Sequence, residues 1–100
     1  MGVTTNPEEP LPALPQSRCF VCGQENPRGL RIRFERGDSG EMNATWTPEA
    51  TFEGFRGIVH GGVVSTVLDE AMSKAVAAAG AEALTAELRI RFRRPVGTGD

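Results

Sequence analysis

The sequence has few of the residues on which several protein classes depend. Only two of its 100 residues are cysteines, too few for the disulfide framework of a small secreted protein. No apolar run approaches the roughly 20 residues that cross a bilayer, and the first residues lack the basic and apolar parts of a signal peptide. We therefore expect a cytoplasmic protein without a membrane segment.

The sequence also lacks a large excess of either sign of charge. Eleven basic residues face 13 acidic ones, so the net charge is −2, and no basic excess is present to neutralise a nucleic-acid backbone. We expect no nucleic-acid partner. The composition, 39% hydrophobic and 24% charged, is typical of one folded domain. Because a chain this short buries only a little over about 60% of its unfolded surface, we also expect it to form oligomers.

Proline and residue alternation divide the chain into parts. Residues 1–17 hold four of the seven prolines, which predicts a flexible N-terminal arm before a domain at 18–100. Apolar and polar residues alternate in three segments, which predicts strands at 30–36, 41–47 and 84–93. The Gly-Asp-Ser-Gly turn at 37–40 joins the first two strands into a hairpin. Residues 98–100 are typical of a turn into a further strand, so we expect more strands to follow this chain.

In the segment that ends at Ala79, apolar residues recur with a period of 3.6 residues, which predicts one long helix. It begins at Gly61 or Gly62, and Gly80 is placed as its C-terminal cap. One face carries an apolar stripe that consists of Val64, Leu68, Met72, Ala75 and Ala79. We predict an α+β fold in which this stripe packs on an antiparallel sheet whose other face exposes arginines.

The strongest cluster of candidate functional residues surrounds the helix start. Paired glycines at positions 61 and 62 let another molecule approach the backbone, and free amides there favour developing negative charge. Such a turn can hold an oxyanion, although the glycines are equally compatible with a tight entry into the helix. His60 is either a general base or a residue that orients the loop through hydrogen bonds, and the second role fits its position better.

Two carboxylates follow on the same helix. At 3.6 residues per turn, Asp69 lies at the border of the apolar stripe, whereas Glu70 lies on the far side, four residues before Lys74. We therefore predict that Glu70 is a solvated surface acid. An acid beside apolar residues is costly without partners, so Asp69 is either a hydrogen-bonded structural group or a site residue.

Cys19 and Cys22 have the spacing of half a zinc site. One such pair and one histidine do not supply four ligands, and the context of a thioredoxin-like redox pair is absent. We predict neither a metal nor a cofactor, and we interpret the pair as small apolar residues of a structured turn, unless a second subunit completes a site.

Four segments of the sequence form a recognisable combination. They are Cys19-Phe20-Val21-Cys22-Gly23, Asn26-Pro27-x-Gly29-Leu30, Gly54-x-x-Gly57-Ile58-Val59-His60-Gly61-Gly62 and Leu68-Asp69-Glu70-Ala71-Met72. Together they resemble the hotdog-fold acyl-CoA thioesterase superfamily, in its phenylacetate-degradation and 4-hydroxybenzoyl-CoA type branch. The resemblance runs from about residue 18 to residue 97. It implies an antiparallel sheet wrapped around one long central helix, with C-terminal strands missing from this chain, and a homodimer or a dimer of dimers.

The resemblance also implies a mechanism. The amide of Gly61 or Gly62 polarises the thioester carbonyl, next to His60, and Asp69, commonly from the other subunit, activates water or attacks as a nucleophile. We further expect four residues to contact the substrate, namely Asn26, Gly57, Val59 and Ser65. The implied activity is hydrolysis of a small or medium acyl-CoA to the free acid and CoA, without cofactor.

Two other functions remain open at this point. One is a non-catalytic acyl-CoA binding or sensing module, which would not need a carboxylate such as Asp69 beside the scissile bond. The other is a hotdog dehydratase, which would use a histidine and an acid from facing subunits. His60, placed just before the helix, does not clearly fit that role.

Overall fold

The computed structural model describes residues 16–81 and 83–99. Within them, strands β1 (Glu35–Arg36) and β2 (Met42–Asn43) form a two-stranded antiparallel sheet. A short 3-10 helix spans Ala50–Phe52, and one long helix, α1, spans Gly61–Ala78. The predicted arm at 1–17 lies outside the described residues except for its last two positions.

The predicted hairpin is confirmed, with shorter strands than expected. Glu35 pairs with Asn43, and the amide of Gly37 donates to the carbonyl of Glu41 at 2.7 Å to close the turn. The first strand does not extend back to residue 30 because Arg31 has a left-handed backbone, with a φ of 53°. Leu30 instead donates its amide to the carbonyl of Phe20, which holds this segment against the N-terminal turn.

The predicted long helix is confirmed at both ends. It begins at Gly61, and Gly80 follows its last turn with a left-handed φ of 93°, a conformation that glycine adopts without steric cost. The amide of Gly80 donates to the carbonyl of Ala77, and that of Ala81 donates to Val76, which together form a Schellman motif. No helix within residues 16–81 and 83–99 combines the length and apolarity needed to span a bilayer.

The predicted orientation of α1 is wrong. Its packed face carries Glu70, which is only 8% exposed, whereas Leu68 and Met72 of the apolar stripe are 42% and 49% exposed. The physical reason is that the hairpin and the N-terminal turn cover only one side of α1, and that side lies opposite the stripe. Glu70 is therefore a buried acid and not the solvated one that we predicted, although its predicted pairing with Lys74 is present at 3.7 Å.

The prediction of a third strand at 84–93 is also wrong, because the described residues of this segment form no strand. A strand requires hydrogen bonds from a neighbour along its length, and none pairs with this segment. Pairing occurs only after it, where Val59 donates to the carbonyl of Val96 at 2.8 Å and Ile58 bridges to Gly97. The described part of the chain is thus one long helix packed against a short antiparallel sheet, in the predicted α+β class.

Candidate functional site

The loop that leads into α1 is held by backbone hydrogen bonds to two other segments. His60 donates its amide to the carbonyl of Phe52 at 2.8 Å, and the buried Val59 donates to Val96. Gly57 turns the chain with a φ of 79°, and its amide donates to the side-chain carboxylate of Glu53. These contacts fix the direction in which α1 begins.

His60 is the N-cap residue of α1. Its Nδ1 accepts a hydrogen bond from the amide of Gly62 at 2.9 Å, so that nitrogen is unprotonated and a neutral ring carries its proton on Nε2. The amides of Val63 and Val64 both donate to the carbonyl of His60. Gly61 is consequently the one residue of the first turn whose amide has no acceptor among the described residues.

A groove of about 280 Å³ opens beside this amide, and we call it the Gly61 groove. Its lining is mainly apolar and comprises Gly54, Phe55, Ile58, Val59, His60, Gly61, Val64, Phe92, Arg94, Pro95 and Val96. The ring of Phe92 lies at its wall, 3.6 Å from the position that a Cβ on Gly61 would occupy. The Gly61 groove therefore offers an apolar surface next to the residue that carries the free amide.

Asp69 lies in a different groove. It is half-buried, and its Oδ1 accepts a hydrogen bond from Thr85 Oγ1 at 2.6 Å beside a cavity of about 200 Å³. It lies eight positions after Gly61 along the helix, which corresponds to about 12 Å at 1.5 Å per residue. The structure therefore does not bring Asp69 and Gly61 of one chain together.

The expected substrate-contacting residues have separate locations. Val59 lines the Gly61 groove, and Gly57 lies in the loop before it. Ser65 donates its hydroxyl to the carbonyl of Gly61 at 2.8 Å, one turn back along α1. Asn26 organises the N-terminal turn, where its side chain donates to Arg18 and accepts from the Arg28 amide, and it does not line the groove.

Sequence reasoning missed Thr85 and Phe92. Both belong to the segment whose alternation predicted a strand, and alternation alone does not indicate which helix residues such a segment will contact. The apolar ring of Phe92 lies near Gly61, and the hydroxyl of Thr85 donates to Asp69, so both residues of this segment approach α1.

A second cluster of reactive side chains lies on the opposite, packed side of α1. Cys19 and Cys22 donate their thiols to the two carboxylate oxygens of Glu70, at 3.5 Å and 3.4 Å. Gln16 also donates its amide group to Glu70, at 2.9 Å. Burial, together with hydrogen bonds to Cys19 and Glu70 and the nearby negative charge, raises the pKa of Cys22 to about 11. We call these three residues, Cys19, Cys22 and Glu70, the Cys-Glu cluster.

Two comparisons with known proteins found a similarity. Residues 56–100 match the family model of the thioesterase superfamily. The chain is also similar to the crystal structure of a thioesterase superfamily protein, with a TM-score of 0.75 and 32% sequence identity. That match covers 80% of this chain and 42% of the other, so the chain spans less than half the length of that protein. No curated protein matches the chain.

The architecture is therefore that of the hotdog fold, as the family resemblance implied, with one long helix packed against an antiparallel sheet. Both comparisons support the thioesterase superfamily, and neither distinguishes a branch within it.

Proposed function

We propose that this chain is an acyl-CoA thioesterase that hydrolyses small or medium acyl-CoA thioesters to the free acid and CoA. One observation carries the proposal: the amide of Gly61, at the start of α1, has no acceptor among the described residues, and Gly61 lines an apolar groove. Helix N-termini favour negative charge, so this amide is suited to an oxyanion that develops on a thioester carbonyl.

The preference for Gly61 over Gly62 rests on His60. The imidazole of His60 already accepts the hydrogen bond of the Gly62 amide, which therefore points at the ring and away from a ligand. His60 in this proposal is a positioning residue, because it holds the first turn of α1 and leaves the Gly61 amide free. The apolar walls formed by Phe55, Ile58 and Phe92 suit the acyl group.

In the proposed reaction, the thioester oxygen accepts the hydrogen bond of the Gly61 amide. Asp69 removes a proton from a water molecule whose oxygen bonds to the acyl carbon; alternatively, its own carboxylate attacks that carbon, and water hydrolyses the resulting mixed anhydride to the free acid after CoA has left. The C–S bond then breaks, and the electron pair leaves on the sulfur of CoA. A thiolate is a good leaving group, so the mechanism requires no second acid for this step.

The distance between Asp69 and Gly61 requires a composite site. A reacting carbon held at the Gly61 amide lies far outside the reach of Asp69 in the same chain, since about 12 Å of helix separates the two residues. We propose that Asp69 of a second copy completes the site in a homodimer or a dimer of dimers. In this arrangement, a second copy would also cover the exposed apolar stripe of α1.

The test is thiol release from a panel of acyl-CoAs of increasing length, measured with the full chain and two variants. We expect turnover by the wild type and a loss of about 10²- to 10⁴-fold in kcat for Asp69→Asn, which removes the charge and retains the size. Asp38→Asn is the matched control, because Asp38 is an exposed acid in the hairpin turn, and it should retain wild-type kcat.

Two results would count against the proposal. If the wild type bound acyl-CoA without releasing thiol, the non-catalytic binding or sensing module would be the better assignment. If Asp69→Asn and Asp38→Asn had equal, undiminished turnover, the chain could still be a thioesterase, but Asp69 would not be its catalytic carboxylate.

A further inference from the structure

The Cys-Glu cluster brings three metal-ligating groups to one point from distant parts of the sequence. The two cysteines lie on the N-terminal turn and Glu70 lies on α1, yet their ligand atoms are all within 4.8 Å of one another. This cluster lies on the packed side of α1, away from the Gly61 groove, and plays no part in the proposed hydrolysis. We propose that the Cys-Glu cluster binds Zn²⁺ through these three protein ligands, with a water molecule as the fourth.

The distances suit tetrahedral coordination. Zinc binds thiolate sulfur at about 2.3 Å and carboxylate oxygen at about 2.0–2.2 Å, so a sulfur and an oxygen on one tetrahedral ion are about 3.6 Å apart. Cys19 Sγ lies 3.5 Å from Oε2 of Glu70, and Cys22 Sγ lies 3.4 Å from Oε1. These two contacts involve different oxygens of Glu70, so a zinc ion among ligand atoms that lie within 4.8 Å of one another requires either a rotation of the carboxylate or its bidentate binding.

The turn that carries the cysteines is held in place by backbone contacts, which favours a preformed zinc site. The amide of Gly23 donates to the carbonyl of Cys19 at 2.9 Å, and a side chain at Gly23 would collide with the Cys19 backbone. Between the cysteines, the buried Val21 accepts a hydrogen bond from the amide of Ile32 at 2.8 Å. These contacts hold both thiols toward Glu70 without help from the ion.

Charge and access also fit a divalent ion. Two thiolates and the Glu70 carboxylate leave one negative charge in excess of Zn²⁺, and the ammonium of Lys74, 3.7 Å from Glu70, compensates it. A groove of about 560 Å³ reaches Cys22 beside Gln16 and Lys74. This groove provides an entry path for the ion and room for a water molecule in the fourth coordination position. Binding displaces the two thiol protons to solvent.

The first experiment measures zinc content. The full chain is purified with Zn²⁺ and a reductant, desalted, and analysed for zinc per chain by mass spectrometry, alongside Cys19→Ser, Cys22→Ser and Glu70→Gln. We expect about one zinc per chain in the wild type, as one site requires. The cysteine variants should lose it, and Glu70→Gln should lose it more readily to a chelator. Glu49→Gln is the control and should retain zinc, because Glu49 is exposed and its side chain makes no capping hydrogen bond.

The second experiment does not depend on how well the variants fold. Co²⁺ added to the metal-free wild type should produce the charge-transfer absorption of thiolate ligation together with the intense visible bands of tetrahedral cobalt. Three outcomes would overturn the proposal: a wild type without bound zinc, zinc retained equally by Cys22→Ser, or a cobalt spectrum without thiolate bands. In each case the cluster would be a thiol–carboxylate hydrogen-bond network only.

Discussion

Gly61 and Gly62 are neighbours at one helix start, but their side-chain positions have different surroundings. A Cβ on Gly62 would lie 3.1 Å from Nδ1 of His60, tighter than an ordinary contact. A Cβ on Gly61 would lie 3.6 Å from the ring of Phe92, which is a normal van der Waals distance. Substitutions at the two positions should therefore have distinguishable effects.

We predict that Gly61→Val lowers kcat strongly, by up to about 10²-fold, because its branched side chain crowds Phe92 and the position of the oxyanion. Gly62→Val should lower kcat and also destabilise the fold, since it displaces the His60 ring and weakens an N-cap worth about 1 kcal/mol. Thiol release and urea unfolding measured on both variants separate these effects. Unchanged kinetics in both would remove the oxyanion assignment.

Thr85 is a positioning residue for Asp69 in the proposed mechanism. Its hydroxyl bonds to Oδ1 and leaves Oδ2 available to react. Because a typical hydrogen bond contributes about 1 kcal/mol, we predict that Thr85→Ala lowers kcat about fivefold. Thr85→Ser, which keeps the hydroxyl, should retain most of the activity. Equal losses in the alanine and serine variants would show that the hydroxyl is not what matters.

At the scale of elements, local patterns predicted the helix and the hairpin, and the neighbouring segments determine which face of each is buried. The 3.6-residue period and Gly80 were sufficient to place α1, and the glycine turn was sufficient to place the hairpin. The period did not predict that Glu70 faces inward, because that depends on where the N-terminal turn packs. The left-handed Arg31 and the absence of a pairing partner for 84–93 in the described residues likewise have no local signal.

The candidate site was predictable to the same extent. The paired glycines and Asp69 were recognisable from residue types and spacing, whereas the bond from Gly62 to His60 and the contact of Asp69 with Thr85 depend on side-chain geometry. The Cys-Glu cluster was not predictable, since its third member was placed on the wrong face of the helix.

The end of α1 provides a stability test that is independent of catalysis. Gly80 adopts a left-handed backbone within the Schellman motif, and a residue with a Cβ pays about 1–2 kcal/mol in that conformation. We predict that Gly80→Ala lowers the free energy of unfolding by about that amount, measured by urea denaturation followed by circular dichroism. Ala81→Ser at the next, exposed position is the control. Equal midpoints for the two variants would contradict the role of Gly80.

At the scale of the whole molecule, the central feature is that Gly61 and Asp69 lie in separate grooves. A composite site requires a second copy, and the exposed side chains of Leu68 and Met72 are consistent with burial by another chain. We predict that sedimentation shows a homodimer or a dimer of dimers at concentrations where the protein is active. A stable monomer with full activity would contradict this prediction.

The most direct test of the composite site is complementation between two inactive variants. Gly61→Val removes the oxyanion position and Asp69→Asn removes the carboxylate, so each should be nearly inactive alone. When the two chains are co-expressed and purified together, half of the dimers are mixed, and one of the two sites in each mixed dimer is intact. We predict that thiol release recovers to about a quarter of the wild-type rate. If mixed dimers form and the activity stays at the level of the separate variants, Gly61 and Asp69 do not act together across two chains, and the proposed site is wrong.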